Sequence, residues 1–109
     1  ENNIESSSKI NDIIEETGKK CGINILRRNI HCTDSFYEKD YSEFLNYDCV
    51  GVEMETFALF NNARKFGKNA TALLTVSDLF FSEEKLSSEE RESNLNDMIV
   101  LALESCLKL

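Results

Sequence analysis

Apolar positions along this chain switch between a helical and an extended period, and the switches lay out its elements. From Lys9 to Cys21, the residues Ile10, Ile13, Ile14 and Cys21 fit a helical stripe, which Gly18 weakens and Gly22 can stop. Ile23 to Cys32 predicts a strand, with Ile23 and Ile25 alternating with polar residues until Arg27-Arg28 blurs the pattern. Thr33 to Asp40 predicts a loop carrying Phe36-Tyr37, and Tyr41 to Tyr47 a short helix or turn. Cys49 to Glu53 is a continuous apolar run, the pattern of a strand covered on both faces. Met54 to Phe66 predicts a helix with Phe57, Ala58 and Ala63 inward, closed by Gly67, and Asn69 to Val76 predicts another buried strand. After a loop from Leu79 to Leu86, Ser87-Ser88-Glu89-Glu90 has the form of a capping box. The last helix then places Leu95, Met98, Ile99, Ala102 and Cys106 on one face. This α-β-(α)-β-α-β-α order predicts an α/β layered fold with an at least partly parallel sheet.

Two of the apolar runs stop at acids. Val50-Gly51-Val52 ends in Glu53-Met54-Glu55, and Ala72-Leu73-Leu74-Thr75-Val76 ends in Ser77-Asp78. In open α/β sheets ligands sit at strand ends, and an acid there is costly unless a partner or ligand satisfies it. Each acid also has a plain structural account. Carboxylates near a helix N-terminus are favoured by its dipole, and Ser-Asp is a common turn dipeptide. The two motifs in this order favour chemistry.

Composition narrows the classes. The 109 residues carry a formal charge of −8, which fits one domain at most and argues against a nucleic-acid binder, since phosphate neutralisation needs clustered Lys and Arg. No run approaches the ~18 apolar residues of a membrane span, and no signal peptide is evident. Cys21, Cys32, Cys49 and Cys106 lack metal-ligand spacing, and His31 adds no second ligand nearby. Cys32, Cys49 and Cys106 sit in apolar contexts as small core residues, which points to a reduced, cytoplasmic setting. The first residue is Glu1 rather than Met, so a partial or processed chain is expected.

Several ordered motifs then coincide. Asp34-Ser35-Phe36-Tyr37, Val52-Glu53-Met54-Glu55, Thr75-Val76-Ser77-Asp78, Glu90-Arg91 and Asn96-Asp97-Met98-Ile99 followed by Ala102-Leu103-Glu104-Ser105 resemble the C-terminal part of the hexameric, bacterial-type purine nucleoside phosphorylases. The resemblance implies a partial three-layer α/β/α fold with a mixed, largely parallel sheet. It makes residues 1–109 the C-terminal portion of one domain whose N-terminal half is absent.

The resemblance also implies roles. Glu55 matches the carboxylate that binds the ribose hydroxyls, with Met54 packing on the sugar; an ionised acid can accept from both hydroxyls. Glu53 matches the first acid of the motif, close to sugar and base. Phe36 matches the aromatic residue that stacks on the purine, although without the motif it reads first as a core packing residue. Val52 matches an apolar wall, and Ser77 helps position the base. Asp78 matches the general acid that protonates N7 of the leaving purine, and Arg91 the arginine that approaches it on closure. Arg91 lies in the first turn of a helix, against the dipole, which favours a functional role. The implied reaction is reversible phosphorolysis of purine ribo- or deoxyribonucleosides, with inorganic phosphate as co-substrate and no metal or organic cofactor. The implied assembly is a homo-oligomer, a hexamer in the full-length family.

That family binds phosphate through glycine-rich backbone and arginines of its N-terminal half; this chain has no Gly-rich loop before a helix, and Arg27-Arg28 does not match those positions. Two alternatives follow. One is a hydrolase of the methylthioadenosine nucleosidase kind, using water in place of phosphate. The other is an inactive fragment that only binds nucleoside.

Overall fold

Asn29–Cys32 (β1) and Cys49–Glu53 (β2) pair in parallel, setting Ile30 against Gly51, His31 against Val52 and Cys32 against Glu53. The coordinates are a computed structural model that describes residues 3–34, 45–76 and 87–109. Parallel strands need a long connection rather than a hairpin, and residues 33–48 are that connection. Its described end is tied down: the Asn29 side-chain amide donates to the Tyr47 carbonyl at 2.7 Å. Asp48 then turns the chain at φ 54°, a conformation that Asp tolerates better than most residues. The register shifts once, between Asn29 and Ile30, so Val50 faces no ladder partner and is exposed. The Thr33 amide donates to the Glu53 carbonyl at 2.9 Å and carries the pairing one residue past β1.

The chain divides into two compact units. One comprises Glu1–Ser8 and Leu26–Ala72, the other Lys9–Ile25 and Leu73–Leu109. The first holds β1, β2 and the helix Thr56–Lys65 (α2). Helix α2 ends in a Schellman motif, with the Gly67 amide on the Arg64 carbonyl at 3.1 Å and the Lys68 amide on the Ala63 carbonyl at 2.8 Å. Gly67 sits at φ 65°, where a Cβ would be strained. In the same unit the Ser7 amide donates to the Ala70 carbonyl at 2.8 Å.

The second unit holds Ser8–Cys21 (α1) from Lys9 onward, and Ser88–Cys106 (α3). Helix α1 closes like α2: the Ile23 amide reaches the Gly18 carbonyl at 2.9 Å while Gly22 adopts φ 69°. Gly18 is buried because Ile25 lies 3.5 Å from where its Cβ would be and the Ile23 carbonyl oxygen only 3.1 Å away. The glycine that weakens the helix in isolation is therefore what lets the chain fold back on it. Ile14, Thr17 and Gly18 of α1 are buried, and the Thr17 hydroxyl is satisfied by the Ile13 carbonyl at 2.7 Å. In α3 the buried residues are Leu101 and Ser105.

The α/β class and the parallel pairing agree with the sequence, as do α1 and β2. Four details differ. The strand expected over 23–32 is only Asn29–Cys32, because the Ile23 amide belongs to the α1 cap and residues 24–28 pair with no strand among the described residues. Helix α2 starts at Thr56 rather than Met54, and Phe57 and Ala58, expected inward, are exposed, while Ala63 is half-buried. Residues 69–76, expected as a strand, join no ladder among the described residues. The inward face of α3 is rotated: Met98, Leu101, Ala102 and Ser105 are its least exposed positions, whereas Leu95, Ile99 and Cys106 are exposed. Residues 98–103 are apolar all round the helix, so periodicity alone does not select the face. The cysteines are free thiols; Cys32 and Cys49 are half-buried, but Cys106, expected in the core, is exposed.

Candidate functional site

The acid motif occupies the joint where β2 becomes α2. Glu53, the last residue of β2, turns its carboxylate back over the joint. Oε2 accepts the Glu55 amide at 2.6 Å and the Thr56 amide at 2.9 Å, and Oε1 accepts the Thr56 hydroxyl. Helix N-termini leave amides without intrahelical partners. Here a strand residue satisfies them, since Glu55, at the N-cap position, makes no capping bond with its own side chain.

Burial pushes the Glu53 carboxyl up. The Thr56 hydroxyl, the amides of Glu55 and Thr56, and the Cys32 thiol on the adjacent strand outweigh it and hold the group below the ordinary glutamate value. Glu53 is therefore an ionised acid engaged on both oxygens. Glu55 differs. It is exposed, and among the described residues its Oε2 accepts only a long contact from the Met54 amide at 3.2 Å. Met54 beside it is also exposed, and Val52 is half-buried on β2 opposite His31.

Such a joint presents one carboxylate engaged by local donors on both oxygens, and a second exposed to solvent beside a thioether. An exposed ionised carboxylate can accept from two neighbouring hydroxyls at once, and a methionine side chain supplies a polarisable apolar contact next to it.

Arg91 lies in the second unit, in the opening turn of α3, and is exposed. That helix begins with the complete capping box: Ser87 Oγ accepts the Glu90 amide at 3.0 Å, and the Ser87 amide donates to Glu90 Oε1 at 3.2 Å. Glu89 and Glu90 bring negative charge to the positive end of the helix, where Arg91 is the opposing charge. Phe36, Ser77 and Asp78 lie outside the described residues.

Two contributors are absent from the sequence-based set: Thr56, a donor to Glu53, and Cys32, which stands opposite Glu53 and favours its ionised form. Thr56 stands three residues after Glu53, which is a capping-box spacing with the acid and the hydroxyl exchanged, and that signal is readable in the sequence. Cys32 is brought in by the parallel register, which no local pattern encodes.

The hollow in the first unit is elsewhere. It has a volume of about 520 Å³ and lies between residues 3–7 and the C-terminal end of α2, with Phe60, Arg64 and Lys68 on its wall. The acids sit at the opposite end of that helix. No three His, Cys, Asp or Glu side chains gather as metal ligands among the described residues. No helix among them is long and apolar enough to cross a membrane.

This geometry meets the comparison with known proteins at one point, the family model described as the phosphorylase superfamily, which matches residues 1–105. The chain belongs to the phosphorylase superfamily. Among its relatives are DeoD-type purine nucleoside phosphorylases of Listeria welshimeri and Listeria innocua, each 41% identical over 95 residues, or 85% of this chain. A DeoD-type purine nucleoside phosphorylase of Geobacillus stearothermophilus is 37% identical over the same length. The chain spans 41% of the length of each of these curated relatives. The family resemblance read from the sequence therefore holds for the phosphorylase superfamily, with DeoD-type purine nucleoside phosphorylases among the relatives.

Proposed function

We propose that this chain carries the nucleoside-binding part of a purine nucleoside phosphorylase, a cytoplasmic homo-oligomeric enzyme needing no metal or organic cofactor. The observation that carries the proposal is the division of labour in the acid motif: Glu53 is engaged by the fold and Glu55 is left to solvent beside Met54. Glu55 accepts the 2′- and 3′-hydroxyls of the ribose, Met54 packs on the sugar, and Val52 walls the pocket. Glu53 contributes from beneath, as the acid that holds this turn in place. Phe36 stacks on the purine and Ser77 helps orient it.

In the reaction, inorganic phosphate attacks C1′ as the bond from C1′ to the purine nitrogen breaks. The electron pair leaves with the base, and a proton from Asp78 on N7 makes that base a better leaving group. Positive charge accumulates on the sugar in an oxocarbenium-like transition state, which phosphate offsets. Arg91 favours the ionised form of Asp78 once the proton has moved. The products are free purine and ribose 1-phosphate, or its deoxy counterpart. The 109-residue span holds no glycine-rich phosphate loop, so alone it does not complete the reaction.

The test is release of free purine from a purine ribonucleoside by the protein in its natural full length, with and without phosphate. Phosphate-dependent release supports the proposal. In Glu55→Ala, kcat/KM falls by about 100-fold, the scale of two hydrogen bonds to a charged acceptor. Release at an equal rate without phosphate contradicts phosphorolysis and favours a hydrolase.

A further inference from the structure

Thr56 opens α2 and holds Glu53 from two directions. Its amide donates to Oε2 at 2.9 Å and its hydroxyl to Oε1, so one residue fixes both oxygens of the carboxylate. The Glu55 amide adds a 2.6 Å bond to Oε2. These bonds close a ring from Glu53 to Thr56, and the residues inside the ring are Met54 and Glu55. On the neighbouring strand, Cys32 stands opposite Glu53 in the ladder. The amides engage only Oε2, and the hydroxyl adds a donor on Oε1, so the carboxylate is held at both oxygens. An ionised acceptor makes these contacts strong.

We infer that Thr56 is a positioning residue for the sugar: by clamping Glu53 it fixes the backbone turn that aims the Glu55 carboxylate at the ribose hydroxyls. The inference rests on the nucleoside proposal above and extends it to a residue that touches no substrate. Misplacement of a reacting or binding group by a fraction of an ångström is costly where orientation matters. The effect of losing the clamp must then depend on how many hydroxyls the substrate offers to Glu55. A ribonucleoside offers two and a 2′-deoxyribonucleoside one.

The experiment compares wild type, Thr56→Val and Thr56→Ser on a purine ribonucleoside and its 2′-deoxy counterpart, with melting temperatures measured alongside. Valine keeps the shape and removes the hydroxyl; serine keeps the hydroxyl and removes the methyl. In Thr56→Val, kcat/KM for the ribonucleoside falls by about tenfold, the scale of one hydrogen bond to a charged group, and by a smaller factor for the 2′-deoxynucleoside. Thr56→Ser stays within about twofold of wild type on both, because the donor is retained. A Thr56→Val protein that keeps the wild-type ratio between the two substrates overturns the inference, whether its activity is intact or uniformly reduced with its melting temperature. A wild type that acts on neither substrate and binds neither in a calorimetric titration overturns the nucleoside proposal itself, and the inference with it.

Discussion

Helices α2 and α3 both begin under a glutamate, but they recruit it from opposite sides. In α3 the acid is Glu90, inside the first turn, and it exchanges hydrogen bonds with Ser87 at 3.2 and 3.0 Å in an exposed setting. In α2 the acid is Glu53, on the strand before the helix, and it takes the amides of Glu55 and Thr56 at 2.6 and 2.9 Å in a half-buried setting. Among the described residues, the first arrangement joins only residues of its own turn. The second couples the helix end to β2 and, through Cys32, to β1. It also relieves the N-cap residue, Glu55, of capping work, so that side chain remains available for a ligand. Where two acids flank a strand-to-helix joint, the inner one can serve the fold so that the outer one can serve chemistry.

Removing each glutamate's contribution sharpens that contrast. Glu53→Ala leaves two amides and a hydroxyl without their acceptor and is expected to lower stability by about 2 kcal/mol, read as a loss of melting temperature. The loss should depend on pH. The folded-state pKa of Glu53 lies below its unfolded value, so its stabilisation is complete above the ordinary glutamate value and fades as pH falls through the lowered folded value. The gap between wild type and Glu53→Ala therefore stays constant from neutral pH down to about pH 5 and narrows below the ordinary glutamate pKa of ~4.3. A gap that widens on acidification would mean that the protonated acid is the one the fold prefers. Ser87→Ala, which removes only a surface cap, costs about 1 kcal/mol, measured by urea unfolding. If Ser87→Ala proved as costly as Glu53→Ala, the two helix starts would be equivalent.

The two helix starts also mark what the sequence made legible. The box at Ser87–Glu90 depends on residues three apart in one turn, and the structure forms it as read. Helix α1, its Gly22 stop and the bounds of β2 were legible for the same reason, because local spacing and turn chemistry encode them. The shortened strand before Asn29 was not, because the Ile23 amide that would have entered a ladder closes α1 instead. The inward face of α3 was not, because Val100, Leu101 and Leu103 place apolar groups around the whole circumference, and only packing selects Leu101. At the candidate site, Glu53, Met54 and Glu55 stand out by their position at the end of an apolar run, and Val52 by the family resemblance. The difference between the two acids was not, since it depends on how the strand residue folds back over Thr56 and on the register that brings Cys32 to Glu53.

The most direct test of the account follows both acids at once. With the glutamate side-chain carboxyls labelled with carbon-13, NMR titration of the full-length protein with a purine ribonucleoside reports which carboxylate meets the ligand. The account predicts that the Glu55 resonance moves in step with nucleoside binding, while Glu53 stays in place and keeps its lowered pKa. A shift at Glu53 with Glu55 unmoved would contradict it, because the acid engaged by the fold would then be the one holding the sugar.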